Sequence, residues 1–364
     1  MNKNVKKEIK NLVNLSKYAG ERFDLVQSAG GNTSIKINNR LMIIKSSGVS
    51  LSELEVKKGF SMVNNKKIIQ ILKSKKILKN NNKNKREALA QKFLKKANLE
   101  KNNKPSIEVF LHACLKKVTL HTHPIAALNI LSLVDSEQVI NKIFKNYKFL
   151  FIKYKTPGIE LALELRNNLQ TYHQMKKELP KIIFLQNHGM IINDISVKKV
   201  KKLNDEIIIK MEKFLKVSYY DYRLTNLISN LAKKVTGNQN LISYLSEDRI
   251  INNKNFIKKY LFLKPTCPDV FVFNGFIPCK IKNLKDSMSI KRYKKKFHIY
   301  PKILVFKSKV FFLNTSIKKT KSMEEMLKFH FLLLENAKGK KNYLSINELN
   351  YLLNMSSEKY RQNI

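Results

Sequence analysis

Along nearly its whole length this chain alternates short strand-like apolar runs with segments of helical spacing. That alternation restricts it to a layered α/β architecture. "KIIFLQ", "NHG" and "MII" (181–192) read as strand, turn and strand, and a helix follows from about Val197 to Val217. "VTLHTH" (118–123) is a strand that leads into "PIAALNILSLV", a helix with proline at its first position. "FLFIKY" is a strand and "PGIELALELRNNLQ" a helix. "SIEVFLHACLKK" is a helix that Ser106 can cap, and residues 5–19 form an amphipathic helix with apolar Val5, Ile9, Leu12, Val13 and Leu15. "TSIKINNRLMIIK" reads as a hairpin around a two-residue turn, Asn38-Asn39.

Other stretches are less patterned. "FSMV" (60–63) is strand-like, the middle of the Lys/Asn-rich stretch "KSKKILKNNNKNKREALAQKFLKKA" reads as a solvated loop, and helical spacing resumes near Glu87. Residues 218–264 read as helical. Pro265 and Pro268 mark a break, after which "DVFVF" and the pair "KILVF" and "VFFL" look like strands. "SMEEMLKFHFLLLENA" then reads as a helix whose Ser322 and Glu325 have capping-box spacing, and the tail "SINELNYLLNMSSEKYRQ" reads as helical. No internal repeat stands out. The expected organisation is a domain over 1–217, a helical connector over 218–264 and a small α/β extension with a C-terminal helix over 265–364.

A chain of 364 residues can bury about 75% of its unfolded surface, so its core needs no disulfide staples. Cys114, Cys267 and Cys279 are odd in number and far apart, which points to a reducing cytoplasm. No window approaches the roughly 18 apolar residues of a membrane span, and the N-terminus has no signal-peptide core. The formal charge of +44 is spread along the chain with many Asn and Ile, and arginine is scarce. Arginine reads guanine and forks onto phosphate, so no specific nucleic-acid partner is expected. A positive field still favours a small anionic substrate.

Chemistry concentrates at three places. In a strand, residues i and i+2 share a face, so His121 and His123 point the same way and can bind one metal ion. His188 sits at a sharp strand–glycine turn that can present a third imidazole. Three imidazoles leave an open position, the pattern of a catalytic zinc, although other first-row metals suit the same ligands. Glu108 lies one short helix upstream, four residues from His112, and beside a cation it can stay ionised as a general base. In the hairpin, a turn at 38–39 pairs residues whose numbers sum to 77. Gly30 and Gly31 then fall beside Ser47 and Ser46, so "GGN" and "SSG" meet at one open end, where free N–H groups, an amide and hydroxyls can cradle a phosphate.

"GGNTS" (30–34), "SSG" (46–48), "PSIE" (105–108) with His112, "HTHP" (121–124), "YKTPG" (154–158) and "QNHGMI" (186–191) occur in one order over roughly residues 10–215. Together they resemble the class II aldolase/adducin family, which includes fuculose-phosphate and rhamnulose-phosphate aldolases and ribulose-phosphate 4-epimerase. The resemblance implies a three-layer fold, with a central, mainly antiparallel sheet flanked by helices, assembled as a homotetramer. It implies one Zn2+ on His121, His123 and His188, with Glu108 as catalytic acid/base. It further implies that Gly31, Asn32, Ser47, Gly48 and Ser106 hold the phosphate of a sugar phosphate. The expected reaction is metal-dependent retro-aldol cleavage through a zinc-stabilised enediolate. Epimerase, dehydratase and decarboxylase reactions of the same superfamily are the alternatives, and a non-catalytic adducin-like scaffold is the rival from another class. The chain departs from the family pattern at Ile107, where the aldolases often carry a second serine, and it has no secure match to their catalytic tyrosine, with Tyr147 and Tyr154 as nearby candidates. About 150 residues extend beyond the shared domain.

Overall fold

The computed structural model describes residues 2–100 and 102–355. The chain divides into two compact units, Met1–Tyr219 and Tyr220 onward. Unit 1 runs α1 (Lys3–Gly20), β1 (Asn32–Lys36), β2 (Leu41–Lys45), β3 (Phe60–Asn64), α2 (Asn65–Leu72), α3 (Lys75–Leu78), α4 (Lys83–Ala97), α5 (Val109–Ala113), β4 (Val118–Thr122), α6 (Ile125–Leu131), α7 (Ser136–Ile143), β5 (Phe149–Ile152), α8 (Ile159–Lys176), β6 (Ile182–Leu185), β7 (Gly189–Asp194) and α9 (Val197–Leu215). Its seven strands form one sheet in the order β3-β2-β1-β4-β7-β6-β5. Every pairing is antiparallel except β5 with β6. The fold class is therefore α/β, with a central, mainly antiparallel sheet between helical layers.

Period-two alternation sends the strand side chains into two cores. Ile35, Ile43, Leu120, Phe184, Met190 and Ile192 pack under α1, α6 and α9. Met42, Ile44, Ile183, Leu185 and Ile191 pack under α2, α4, α5 and α8. A sheet apolar on both faces must be covered on both, which the two helical layers accomplish.

Unit 2 runs α10 (Tyr220–Thr236), β8 (Ile242–Leu245), α11 (Lys254–Tyr260), α12 (Pro268–Asn274), β9 (Cys279–Lys280), α13 (Ser287–Phe297), β10 (Ile303–Phe306), β11 (Lys309–Asn314), α14 (Ile317–Asn336) and α15 (Ile346–Asn354). Its sheet order is β8-β11-β10-β9. Residues 218–264, expected to be helical, thus also contribute β8.

The structure corrects several local expectations. The Asn38 side chain accepts from the N–H groups of Arg40 and Leu41, so the β1–β2 turn spans 38–40 and partner numbers sum to 78 (Ser34 opposite Ile44), not 77. "DVFVF" is helix α12, not a strand. Pro268 starts it and Asp269 lies in its first turn, and a short apolar run alone does not separate the two states. The middle of the Lys/Asn-rich run is an irregular segment over 79–82, as expected, but α4 already begins at Lys83, earlier than Glu87. Helix α14 begins at Ile317 behind an N-cap at Ser316, which leaves Ser322 inside the helix instead of at its start. The helical tail is observed as α15, and its expected continuation over 356–362 lies outside the described residues.

An internal repeat is also present. In β8-β11-β10-β9 the pairings run antiparallel, antiparallel, parallel, as they do in β4-β7-β6-β5. The element order from α5 to α9 recurs from α10 to α14. The sequence conceals this because apolar core positions exchange freely among similar residues.

Candidate metal centre

The site is built at the seam between β1 and β4. Asn32 at the start of β1 lies opposite His121 in the ladder. His121 is fully buried, and its Nδ1–H donates to the Met190 carbonyl (3.1 Å), an atom that can only accept. That bond fixes the ring's orientation and turns Nε2 toward the cluster. Nε2 of His123 faces it at 3.0 Å. His188 arrives from the turn between β6 and β7, where Asn187 takes a left-handed φ of 54°. The following Gly189 has φ 153°, and a Cβ there would lie 2.4 Å from the Thr122 carbonyl oxygen and 2.9 Å from His123 Cδ2. Only glycine lets β7 approach β4 this closely beside the histidines.

Glu108 precedes α5, and its Oε1 lies 3.2 Å from His121 Nε2 and 3.5 Å from His188 Nε2. One ligand atom from each of Glu108, His121, His123 and His188 falls within 4.8 Å of the others. This donor set fits a divalent ion: three imidazoles and a carboxylate converge, and a backbone carbonyl already turns one imidazole so that its other nitrogen faces the cluster.

The electrostatics agree with that geometry. Burial would raise the Glu108 carboxyl, but the charge of His121 and hydrogen bonds from His121 and His188 hold it well below the usual carboxylate range. Burial, with the charges of His121 and His188, drives His123 down to about 3, so it is a neutral donor. His112 falls to about 3 through burial. Glu108 pulls the other way, and the His112 Nδ1 meets Ser34 Oγ at 2.8 Å.

Ser34 belongs to a polar stripe on one face of β1 formed by Asn32, Ser34 and Lys36. Lys36 donates to the carbonyls of Ala113 (2.8 Å) and Leu115 at the far end of α5. Ser34 and Lys36 together pin the short helix that carries Glu108. Ser106 Oγ accepts from the Glu108 N–H at 3.3 Å and braces the same turn.

The residues expected to hold phosphate lie around this seam. Asn32 is fully buried, and neither its side-chain oxygen nor its nitrogen has a partner. Buried amides ordinarily bond, so this orphan pair marks a place for a ligand. Gly31 has φ 70°, and a Cβ there would press on Val26 Cγ1 (2.8 Å) and the His121 carbonyl oxygen (2.9 Å). Ser47 and Gly48 are exposed, and Gly48 (φ 77°) faces open space. Of the tyrosine candidates, Tyr147 spends its hydroxyl on Glu206. Tyr154 is half exposed, and its N–H donates to Gln186, two residues before His188.

One residue went unread in the sequence. Lys45, at the end of β2, is buried, and its ammonium donates to the carbonyls of Ala29 (3.1 Å) and Val49 (2.7 Å). It ties the glycine loop to the serine loop. Burial lowers its pKa while Glu108 raises it, which places a cation within electrostatic reach of the candidate base. The available signal was a lysine closing the apolar run "LMII", but among so many lysines it did not stand out.

Three solved structures illustrate what the chain is similar to. The N-terminal class II aldolase domain of a conserved protein from Thermoplasma acidophilum is 26% identical, with TM-score 0.47, over 56% of this chain and 92% of that one. A sugar-phosphate aldolase from Thermotoga maritima is 14% identical, with TM-score 0.39, over 58% of this chain and 97% of that one. L-fuculose-1-phosphate aldolase from Thermus thermophilus is 15% identical, with TM-score 0.35, over 57% of this chain and 94% of that one. No curated protein matches the chain. No helix among the described residues is long and apolar enough to cross a membrane. The family pattern of the Class II Aldolase and Adducin N-terminal domain matches residues 10–208, more than half of the sequence, and the chain belongs to that family.

Proposed function

We propose that unit 1 is a metal-dependent aldolase acting on a sugar or sugar phosphate, with His121, His123 and His188 holding one divalent ion, Zn2+ by preference. The observation that carries this reading is the convergence of three imidazole nitrogens and the Glu108 carboxylate within 4.8 Å. When bound, the ion supplies Lewis-acid stabilisation of negative charge at the substrate's carbonyl oxygen.

The chain's own residues do the rest. Glu108, held ionised, moves the proton of the donor carbon. Asn32 offers its unpartnered amide to the substrate, and Gly31, Ser47, Gly48 and Ser106 hold the distal phosphate with it. Lys45 keeps the two loops in register. Anchoring the phosphate away from the breaking bond turns remote binding energy into orientation. A scaffold without chemistry would not need these ligands together, and their retention supports catalysis. The same groups serve epimerisation, dehydration or decarboxylation, so product analysis names the reaction. A homotetramer is the assembly we propose, to be read by sedimentation.

Elemental analysis of the purified chain beside His188→Ala, followed by a ketose-phosphate screen, tests the reading. About one ion per chain, lost in the variant, is expected. No ion in either after adding zinc overturns it.

A further inference from the structure

We propose that unit 2 is a second copy of the metal-binding half of unit 1, in which the ligand positions have been replaced by side chains that pack or bond within the unit. The comparison rests on the metal reading of unit 1.

The correspondence holds at several levels. Strand order and sense agree, as described above. Both copies have a proline and lysine before the third strand (Pro180-Lys181 and Pro301-Lys302). In both, the lysine carbonyl accepts from the N–H of the facing strand, Asn193 in one copy and Leu313 in the other. Asp194 and Asn314 end the last strands, and each bonds the next residue's N–H. A serine two residues on, Ser196 or Ser316, caps the following helix by accepting from Lys199 or Lys319. The helices also take the same sides. Helix α9 packs on the face of Ile182 and Ile192, as α14 packs on that of Ile303 and Phe312. Helices α5 and α8 cover the other face, as α10 and α13 do in unit 2.

This register locates the ligand positions without ambiguity. Val118 pairs with Asp194 and His121 with Ile191, while Ile242 pairs with Asn314 and Leu245 with Phe311. Leu245 therefore stands where His121 does, and Glu247 where His123 does. The turn differs in length. Leu185 pairs with Gly189 across three residues that include His188, whereas Phe306 pairs with Lys309 across only Lys307 and Ser308. Ser308, which precedes Lys309 as His188 precedes Gly189, offers no imidazole in the shorter turn.

What fills the corner is self-contained. Leu245 packs into the apolar core with α10 and α13, and Tyr222 of α10 donates to Glu247, while Tyr244, Ser246 and Asp248 turn to the opposite face and bond Glu324 and Lys328 of α14. Groups bonded to one another are not aimed at a ligand. Among the described residues, the cluster of metal-ligating side chains lies in unit 1.

The test restores the ligands. In a His121→Ala background, which should hold no Co2+, Leu245→His and Glu247→His are combined with replacement of Lys307–Lys309 by Gln-Asn-His-Gly. The folded graft is expected to regain about one Co2+ per chain, with the visible spectrum of a low-coordinate site. Leu245→His with Glu247→His on the native turn is the second variant, expected to gain weaker Co2+ binding. Folded variants that gain none overturn the proposal, and so does a second ion in the wild-type chain that survives His121→Ala. A wild-type chain that takes up no Co2+ breaks the reading of unit 1 itself, a distinct outcome that removes the comparison with it.

Discussion

The two halves built on β4-β7-β6-β5 and β8-β11-β10-β9 share a frame and differ at one corner. In unit 1 that corner gathers three imidazoles around a carboxylate. In unit 2 the same corner holds an apolar leucine and a Glu247 that accepts from Tyr222. The frame is therefore specified by its two apolar faces and its capped helices. The ligands are added to it and do not support it, so losing them leaves the architecture standing.

That separation can be broken by paired substitutions. His121→Ala should cut metal affinity by about 100-fold or more and bring turnover of the cleaved ketose phosphate to background, with a nearly unchanged melt, as read by elemental analysis and calorimetry. Its counterpart Leu245→Ala should do the reverse, costing about 2–5 kcal/mol in urea unfolding with metal content intact. Metal loss from the unit 2 variant would refute the division of labour. Next in size, Glu108→Gln should keep its ion and slow solvent exchange at the donor carbon by about 100-fold to 10,000-fold. Exchange at the wild-type rate would remove Glu108 as the base.

Smaller effects sharpen the contrast. Lys36→Met strands the carbonyls of Ala113 and Leu115 and should cost about 1–3 kcal/mol while lowering exchange at full metal occupancy, because α5 carries Glu108. Ser246→Ala leaves Glu324 short of a donor and should cost a similar amount with no effect on turnover. The smallest effect concerns pH. Lys181 forms a half-exposed pair with Asp194, but its counterpart Lys302 donates to Val272 and is pushed down to about 8 by burial. Between about pH 8 and the ordinary lysine value, the unfolded chain binds more protons there than the folded one. Stability should rise across that window, by at most about 1.4 kcal/mol per pH unit. Lys302→Met should flatten the rise in urea titrations, and an unchanged slope would contradict the assignment.

Much of unit 1 was legible because its signals are local. Strict alternation placed His121 and His123 on one side, and Gly189 marked the turn that presents His188. What was missed depended on tertiary context. The hairpin register slipped by one because the Asn38 side chain extends the turn, which residue type alone does not reveal. Lys45 needed two carbonyls from distant loops to become distinctive. "DVFVF" has strand composition but follows a helix-starting proline. The repeat stayed hidden because Leu245 and Phe311 fill the places of His121 and Ile191, and only the ladder aligns them.

The turn that presents His188 is one residue longer than the turn between Phe306 and Lys309. Amino-acid exchanges, however many, do not connect the two, because the step between them is a whole codon. A missense change at the position of His121 can be undone by its reverse, whereas a difference in hairpin length closes only by the rarer gain or loss of a codon. The length of one loop thus acts as a brake on what each half of this gene can become.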